Sequence, residues 1–408
     1  MQTKLAAFIS GTPAGREAQE ILGRCVHCGF CTATCPTYQL LGNELDGPRG
    51  RIYLIKSMLE GKACSKSTLL HLDRCLTCRS CETTCPSGVQ YGRLLEIGRQ
   101  VAEKAVPRSI GRRLSRRLLV WFLTGRLFSV LLGLGRSVRR LLPERAARYI
   151  PVRYAAGVRP TTRRSKQMIV LEGCVQPSLS PNINAAAARV LDRLGISLIT
   201  ASGAGCCGAL ALHLSFEDSA RQAMRRNIDA WWPLLESGAE GIVMTASGCG
   251  GTVKEDGQLL ADDPQYAEKA RRISSLTWDL SEILVREPMT VSPAGRGVRV
   301  AVQTPCTLQH GQGISGSIEE ILSRLGFQPV TVENPHLCCG SAGSYAILQS
   351  SIAKRLRQEK LDALQAGGPE VIATANIGCL AHLAAQSTVP VRHWIELVDS
   401  VMQLNDSN

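Results

Sequence analysis

The sequence predicts a multi-domain protein in which a cysteine-rich domain, α+β or purely helical, precedes a basic amphipathic helical segment and tandem α/β repeats. Three observations support this fold class. Nine of the 17 cysteines lie in the first hundred residues, and a strongly basic stretch follows them. From residue 167 onward, apolar strands alternate with helical patterns. Because 408 residues exceed one ordinary core, we place the domains at residues 1–98, 99–166, 167–290 and 291–402.

The first domain contains two cysteine runs of identical spacing, offset by 50 residues throughout. In each run three cysteines recur at every third position, and a fourth follows four positions later, directly before a proline. Three thiolates at this spacing can surround one [4Fe-4S] cubane, while the fourth ligates the neighbouring cluster. We therefore expect a two-cluster domain of ferredoxin type. The predicted ligands are Cys25, Cys28, Cys31 and Cys85 for one cluster, and Cys75, Cys78, Cys81 and Cys35 for the other.

A pair of zinc sites is the alternative for these runs. Zinc needs only four ligands, usually two pairs across a loop, and has no use for the third cysteine and the Cys-Pro ending. Cys64 lies outside both runs and is expected to be a small buried residue.

Residues 1–10 lack the regions of a signal peptide, so we expect a reducing cytoplasmic location and metal ligands in place of disulfides.

The α/β region is an internal repeat. In each copy a cysteine follows an apolar strand such as 167–171, a helix such as 185–194 ends near Arg-Leu-Gly, and Cys-Cys-Gly comes 32 positions after the first cysteine. An apolar strand and one more cysteine close each copy. The thiols are Cys174, Cys206, Cys207 and Cys249 in the first copy, and Cys306, Cys338, Cys339 and Cys379 in the second. This agreement predicts two copies of one structural unit.

These motifs carry a family resemblance. The doubled Cys-Cys-Gly modules are similar to the cysteine-rich domain of heterodisulfide reductase, and the whole chain resembles the iron-sulfur subunits of bacterial respiratory dehydrogenases, in particular those of glycolate oxidase (glycolate dehydrogenase). The resemblance implies an electron-transfer subunit that passes electrons from a partner flavoprotein toward quinone. It implies no catalytic residue in this chain, and consistently we find no convincing flavin or nicotinamide motif.

The modules depart from the heterodisulfide reductase pattern in one respect. That pattern ends in C-x-x-C. In this chain the first cysteine of that ending is replaced by Ala246 in one module and by Asn376 in the other. One ligand per module is missing, so a third cluster, a zinc ion and a purely structural role all stay open for the eight thiols. A thiol-disulfide enzyme, and a subunit serving glycerol-3-phosphate or lactate oxidation, are the alternative functions. His310 and His382 are candidates for a quinone or proton path, with a hydrogen-bonded core role as the alternative.

Positive charge is concentrated in the segment 99–166. It holds 18 Arg and Lys and two acids, so its net charge is +16. Because the net charge of the whole chain is +13, the rest of the chain has a net charge of about −3. This distribution, with aromatic residues at only 4%, argues against nucleic acid as a partner.

The apolar run 118–134 within this segment is too short and too interrupted for a transmembrane helix. A helical projection gives two faces: Arg126, Ser129, Gly133, Arg136 and Arg140 on one, and Leu127, Leu131, Leu134, Val138 and Leu141 on the other. This pattern predicts a helix lying on an anionic membrane surface, on the inner face of the cell membrane, aided by Arg112, Arg113, Arg116 and Arg117. The alternative is an apolar stripe that packs on the α/β repeats or on a partner subunit.

Overall fold

The computed structural model describes residues 1–143, 150, 155–287, 295 and 297–406. Residues 1–143 form helices and loops without a strand, so the helical form of the predicted first domain is the one observed. Its helices are α1 Pro13–Arg24, α2 Pro36–Leu41, α3 Pro48–Leu59, α4 Lys66–Asp73, α5 Ser80–Thr83 and α6 Tyr91–Ala105. The predicted boundary between the repeats, at residues 290 and 291, lies outside the described residues.

Proline and capping side chains set where the first helices begin. Proline occupies the first position of α1, α2 and α3, where a helix needs no backbone N–H donor. The Thr12 hydroxyl accepts a hydrogen bond from the Gly15 N–H and caps α1. The apolar faces of α1, α3, α4 and α6 then pack into one core, which includes the fully buried Leu22, Ile55 and Leu94. Both cysteine runs are attached to this core, and Cys64 packs at its edge.

The basic segment forms two helices where the sequence predicted one. Helix α7 spans Ile110–Thr124, helix α8 spans Arg126–Val138, and the pair is bent by 76°. Gly125 makes the break, because a Cβ there would lie 2.6 Å from the Trp121 carbonyl oxygen. No described helix is long and apolar enough to cross a membrane alone, although this bent pair passes that test by length and composition when taken together.

Helix α8 docks through its polar face. The hydroxyls of Ser129 and Ser178 lie 2.5 Å apart, and the Arg136 guanidinium donates to the backbone oxygens of Ser178 and Leu179. The predicted apolar stripe points away from the chain, with the side chains of Leu127, Leu131, Leu134, Val138 and Leu141 between 38% and 84% exposed. Packing of this stripe on the α/β repeats, one of the two alternatives, is therefore wrong.

Each repeat folds into a four-stranded parallel sheet with helices on both faces. The first contains β1 Lys166–Val170, β2 Ile196–Thr200, β3 Ile242–Met244 and β4 Thr277–Asp279, in the order β2-β1-β3-β4. The second contains β5 Arg299–Gln303, β6 Gln328–Val330, β7 Val371–Thr374 and β8 Val391–His393, in the equivalent order β6-β5-β7-β8. The identical topology agrees with the predicted duplication, and strand β1 lies within one residue of the predicted strand 167–171.

Helices cover both sheets. Those of the first module are α9 Gln176–Leu179, α10 Asn182–Arg193, α11 Ala209–His213, α12 Glu217–Glu236, α13 Ser247–Leu259, α14 Ala267–Ser275 and α15 Leu280–Arg286. Those of the second are α16 Ser317–Arg324, α17 Tyr345–Leu348, α18 Ser350–Gln365, α19 Ile377–Ala384 and α20 Trp394–Asp406. Residues from both modules share one hydrophobic core, beside which each module has a smaller cluster of its own. Helix α20 crosses onto α10, where Asp399 forms a 2.7 Å ion pair with Arg189.

Candidate functional site

The two cysteine runs adopt matching backbone conformations. His27 and Thr77, which precede the second cysteine of each run, have φ angles of 57° and 56°, and Gly29 and Arg79, which follow it, have φ angles of 88° and 62°. Left-handed conformations are rare for residues other than glycine and cost free energy. Their recurrence at equivalent positions shows that both runs turn in the same way.

The first three cysteines of the first run meet the last cysteine of the second. Cys25, Cys28, Cys31 and Cys85 line one cavity, which Cys81 also reaches. Burial raises the pKa of the Cys31 thiol to about 11, and the neighbouring thiolates of Cys25, Cys28 and Cys85 add to the shift. Bound iron would reverse this effect, since a cation stabilises the thiolate form.

Cys35 lies with the second run. Burial is the main cause that raises the pKa values of Cys78 and Cys81, and the charge of a Cys35 thiolate raises both further. The Thr77 N–H donates to Cys75 Sγ at 3.5 Å, and the Tyr91 hydroxyl donates to the same sulfur at 3.6 Å. The structure thus brings together the two sets of thiols that the sequence paired across the runs. The second set is buried throughout, whereas the first includes the exposed Cys28.

A buried charge network, which sequence reasoning missed, supports Cys35. Thr37 Oγ1 lies 3.3 Å from Cys35 Sγ and accepts a hydrogen bond from Arg51 at 3.1 Å. The Arg51 guanidinium also donates to the His71 carbonyl oxygen at 2.8 Å. Asp46, fully buried, accepts from Arg74 at 2.9 Å, contacts His71 Nδ1 at 3.0 Å, and lies 3.6 Å from Arg51. No signal in the sequence marked these residues, since Asp46 and Arg51 stand among glycine, proline and other charged residues.

We expect Asp46→Ala to lower the free energy of unfolding by about 3–5 kcal/mol, because it leaves the Arg51 charge buried without its carboxylate. The measurement is anaerobic urea unfolding of the cluster-loaded protein. Glu44→Ala is the matched control, since the Glu44–Arg49 pair is about 40% exposed at both side chains and should contribute about 0–1 kcal/mol. Equal losses in the two variants would contradict the role given to the network.

Each α/β module gathers its four thiols at the carboxyl ends of its strands. In the first, Cys206 accepts hydrogen bonds from Cys174 and Cys207, which lowers its pKa and raises theirs, and Cys207 also contacts Cys249. In the second, Cys306 Sγ lies 3.8 Å from Cys338 Sγ, and the contacts continue through Cys339 to Cys379. All eight predicted thiols are therefore in contact within their own module.

The glycine of each Cys-Cys-Gly motif has a steric role. Gly208 and Gly340 have φ angles of 91° and 85°, and a Cβ there would lie 3.0 Å from the Ala220 carbonyl oxygen and 2.8 Å from that of Ala353. Their N–H groups donate to Cys206 Sγ at 3.5 Å and to Cys338 Sγ at 3.4 Å. Only glycine lets the chain present its N–H to the sulfur at these turns.

The second module lies directly against the second cysteine run. Cys78 and Cys338 pack in the same apolar cluster, with Leu76 and Tyr345, and Cys306 borders it. The charge of Cys306 raises the pKa of Cys78. Two hydrogen bonds fix the contact: the Tyr345 hydroxyl donates to the Arg74 carbonyl oxygen at 3.0 Å, and Thr83 Oγ1 lies 2.9 Å from His310 Nδ1. Nothing in the sequence indicated which module would meet which run.

The remaining predicted positions take structural contacts. Asn376, at the position of the missing cysteine, donates to Cys379 Sγ at 3.6 Å, and Ala246 is buried at the equivalent position. His310 Nε2 contacts the His336 carbonyl oxygen at 3.0 Å, and His382 Nε2 contacts that of Ala353 at 3.3 Å. Burial lowers the pKa of both histidines, so both have the hydrogen-bonded core contacts of the alternative interpretation.

Among the described residues, no three His, Cys, Asp or Glu side chains converge tightly enough to ligate a single metal ion. The thiols of each set lie near one another, but they do not converge on the position of a single ion. Larger multinuclear clusters, with iron-bound thiolates spread over their corners, suit such sets better than a single ion does.

A helical domain with two interleaved cysteine sets, followed by two cysteine-rich α/β modules, defines an iron-sulfur protein of the electron-transfer class. The chain matches the 4Fe-4S dicluster domain over residues 21–89 and the cysteine-rich domain CCG over residues 168–254 and 300–384. It is 51% identical over 405 residues to the glycolate oxidase iron-sulfur subunit of Escherichia coli K12, covering 99% of this chain and 100% of the relative. The chain belongs to the family of glycolate oxidase iron-sulfur subunits, and its cofactors are iron-sulfur clusters.

More distant relatives follow. A probable glycolate oxidase iron-sulfur subunit of Bacillus subtilis is 30% identical, with 88% of this chain and 87% of the relative covered. Lactate utilization protein A of the same species is 26% identical over 235 residues, 56% of this chain and 96% of the relative. The crystal structure of a hypothetical protein from Helicobacter pylori aligns with a TM-score of 0.53 at 11% identity, covering 96% of this chain and 73% of that one. This last likeness concerns the fold alone.

Proposed function

We propose that this chain is the electron-transfer subunit of a glycolate-oxidising complex, which accepts electrons from the flavin of partner subunits and passes them toward quinone at the inner face of the cell membrane. Family membership supports the glycolate assignment. The oxidation of the 2-hydroxy acid itself belongs to the flavoprotein, and this chain contributes no catalytic residue to it.

The observation that carries the proposal is the continuity of three thiol sets. Cys25, Cys28, Cys31 and Cys85 are the proposed ligands of one [4Fe-4S] cluster, and Cys35, Cys75, Cys78 and Cys81 those of a second. The quartet of the second module adjoins Cys78 and is a candidate third site. Bound clusters would supply one-electron carriers. The protein holds their ligands close together and keeps most of them out of water.

Two alternatives have less support. A lactate-oxidising role rests on a relative that matches only 56% of this chain. A thiol-disulfide enzyme is disfavoured because the first cysteine of the C-x-x-C ending is replaced by Ala246 in one module and by Asn376 in the other. In the second module Cys338, Cys339 and Cys379 are also each at most 4% exposed. The glycolate assignment is therefore the better supported one.

Membrane association is the third part of the proposal. The exposed apolar side chains of α7 and α8 include Ile110, Leu114, Trp121, Leu131 and Leu134, and basic residues lie beside them on α7. Such a surface suits the boundary between lipid headgroups and acyl chains. One predicted lipid contact is wrong: Arg116 is only 8% exposed, so Arg112, Arg113 and Arg117 are the proposed contacts to lipid phosphate.

The complex itself tests the function. We expect anaerobically purified protein to carry about eight irons in two cubanes, and more if a module also binds a cluster. Spin-resonance signals of the reduced clusters should develop with glycolate only when the co-purifying flavoprotein is present. Two zinc ions per chain with no iron would exclude the electron-transfer role. Reduction by lactate or glycerol 3-phosphate but not by glycolate would instead redirect the substrate assignment.

A further inference from the structure

A cavity of about 290 Å³ lies where α4, α6, α7 and the two α/β modules meet. Cys75 is the only cysteine among the described residues that line it, so it is separate from the space enclosed by Cys35, Cys75, Cys78 and Cys81. Four of its lining residues, Leu70, Arg112, Ser115 and Leu348, are exposed. The cavity therefore opens to solvent while its far wall reaches the second cysteine run.

The lining of this cavity is positively charged. Four arginines, Arg99, Arg108, Arg112 and Arg116, face one carboxylate, Asp73. The Arg108 guanidinium donates two hydrogen bonds to the Asp73 carboxylate, at 2.6 and 2.8 Å. It donates a third, at 2.6 Å, to Glu103, which does not line the cavity. Counting Glu103, the local charge is still +2.

Two of these arginines keep unused donors. Arg99 is satisfied by the carbonyl oxygens of Leu72 and Cys75. Arg116, in contrast, comes no closer than 3.9 Å to Asp73, and its Nε has no hydrogen-bond partner in the described structure although the side chain is buried. The Arg112 side chain makes no hydrogen bond or ion pair with any described residue. A buried guanidinium donor without an acceptor is costly, which favours a ligand that supplies the acceptor missing at Arg116 Nε.

His213 provides an independent indication. It lines the same cavity at the end of α11, and its Nδ1 is buried with no partner among the described residues. Burial and the charge of Arg99 lower its pKa to about 4, so the ring is neutral at physiological pH. A neutral imidazole has one N–H donor to offer. Two separate elements, α7 and α11, thus present unpaired nitrogens to one space.

We propose that this cavity binds a small oxyanion, a carboxylate or a phosphate, through Arg112, Arg116 and His213. Guanidinium groups pair with the two oxygens of such anions in matching planar geometry. The volume equals that of about ten water molecules, which limits the ligand to a small molecule. The opening at Arg112 gives it a way in.

Occupancy of the cavity has a consequence for electron transfer. A negative charge beside Cys75 makes it harder to add an electron to a cluster held by that residue, so the bound anion lowers the reduction potential of that cluster. This consequence rests on the proposed ligand role of Cys75. The binding of the anion does not.

The experiment uses the anaerobic, cluster-loaded full chain at constant ionic strength, titrated calorimetrically with glycolate as the carboxylate and with inorganic phosphate in a second arm. We expect saturable binding of at least one probe. Arg116→Gln should weaken it by about tenfold or more. Arg113→Gln is the matched control, because Arg113 is an exposed residue of α7 that does not line the cavity; it should bind as the parent does.

Iron content shows whether each variant is intact. If Arg116→Gln loses iron, the test uses Arg112→Gln in its place. Arg112 lies at the exposed opening of the cavity, and its substitution should also weaken binding of the anion. Lack of saturable binding by both probes, or equal weakening in the Arg116 and Arg113 variants, overturns the proposal, since the second result would mean diffuse attraction to a basic surface. A redox titration with and without the bound probe then tests the potential. An unchanged potential with intact binding would contradict only the coupling to Cys75.

Discussion

Replacing Cys85 by alanine should remove about four of about eight irons and leave the protein folded with one cluster. Cys85 lies in the second run, yet its thiol lines the cavity of Cys25, Cys28 and Cys31. The cluster lost should therefore be the one held by the first run. Iron analysis gives the loss. The spin-resonance spectrum of the reduced protein should lose the coupling between the two neighbouring clusters and show the signal of the remaining cluster alone.

Three further variants make this test decisive. Cys28→Ala removes a ligand of the first run and Cys78→Ala one of the second, so the spectrum of the Cys85 variant should match that of the former. Cys64→Ala, outside both runs, should keep all iron. A Cys85 spectrum that matched the Cys78 variant would mean that each run holds its own cluster and that the crossed assignment is wrong.

Substituting Leu127, Leu131 and Leu134 together with serine should weaken binding to anionic liposomes by about a thousandfold. Each of these leucines is exposed in the isolated chain. Complete burial of such a side chain contributes about 1.5–3 kcal/mol to the free energy of binding, and the lower value applies here because each leucine is already partly covered. Flotation with anionic vesicles measures the release, and iron content on the same samples shows that the clusters are intact. Parent binding should also weaken in high salt, because screening reduces attraction between Arg112, Arg113 and Arg117 and lipid phosphate.

A control variant distinguishes binding through α7 and α8 from non-specific binding by other exposed apolar residues. Phe8 and Ile347 are 59% and 55% exposed and lie outside α7 and α8, so replacing both with serine should leave flotation unchanged. Should the leucine variant float like the parent but fail to capture the flavoprotein, the apolar face of α8 would be a subunit contact and the membrane assignment would fail.

The sequence predicted those features that depend on spacing. Cysteine intervals and the 32-residue offsets fix which thiols belong to which unit, because equal spacing in two copies means equal backbone paths. Strand positions followed from apolar runs that both sheets bury. The pairing of Cys85 with the first run was likewise expected from the Cys-Pro ending, and the structure places that thiol beside the other three.

What the sequence could not predict are contacts between elements. Helical periodicity showed that α8 has a polar and an apolar face, but not that the polar face would dock on Ser178. Arg116 occurs among arginines that look alike in sequence, and only its position against α4 and α6 buries it. The contact of Cys78 with Cys338 joins residues from separate domains, and no local pattern records such a neighbour.

The core shared by the two α/β modules means that they are one cooperative folding unit. Val190 and Leu191 of the first module and Val398 and Val401 of the second belong to one buried cluster, and the Ser247 N–H donates to the Ala375 carbonyl oxygen across the boundary at 3.1 Å. Either half expressed alone would expose this surface to water and be prone to aggregation. A substitution in this shared core should therefore lower the stability of both modules, whichever module carries it.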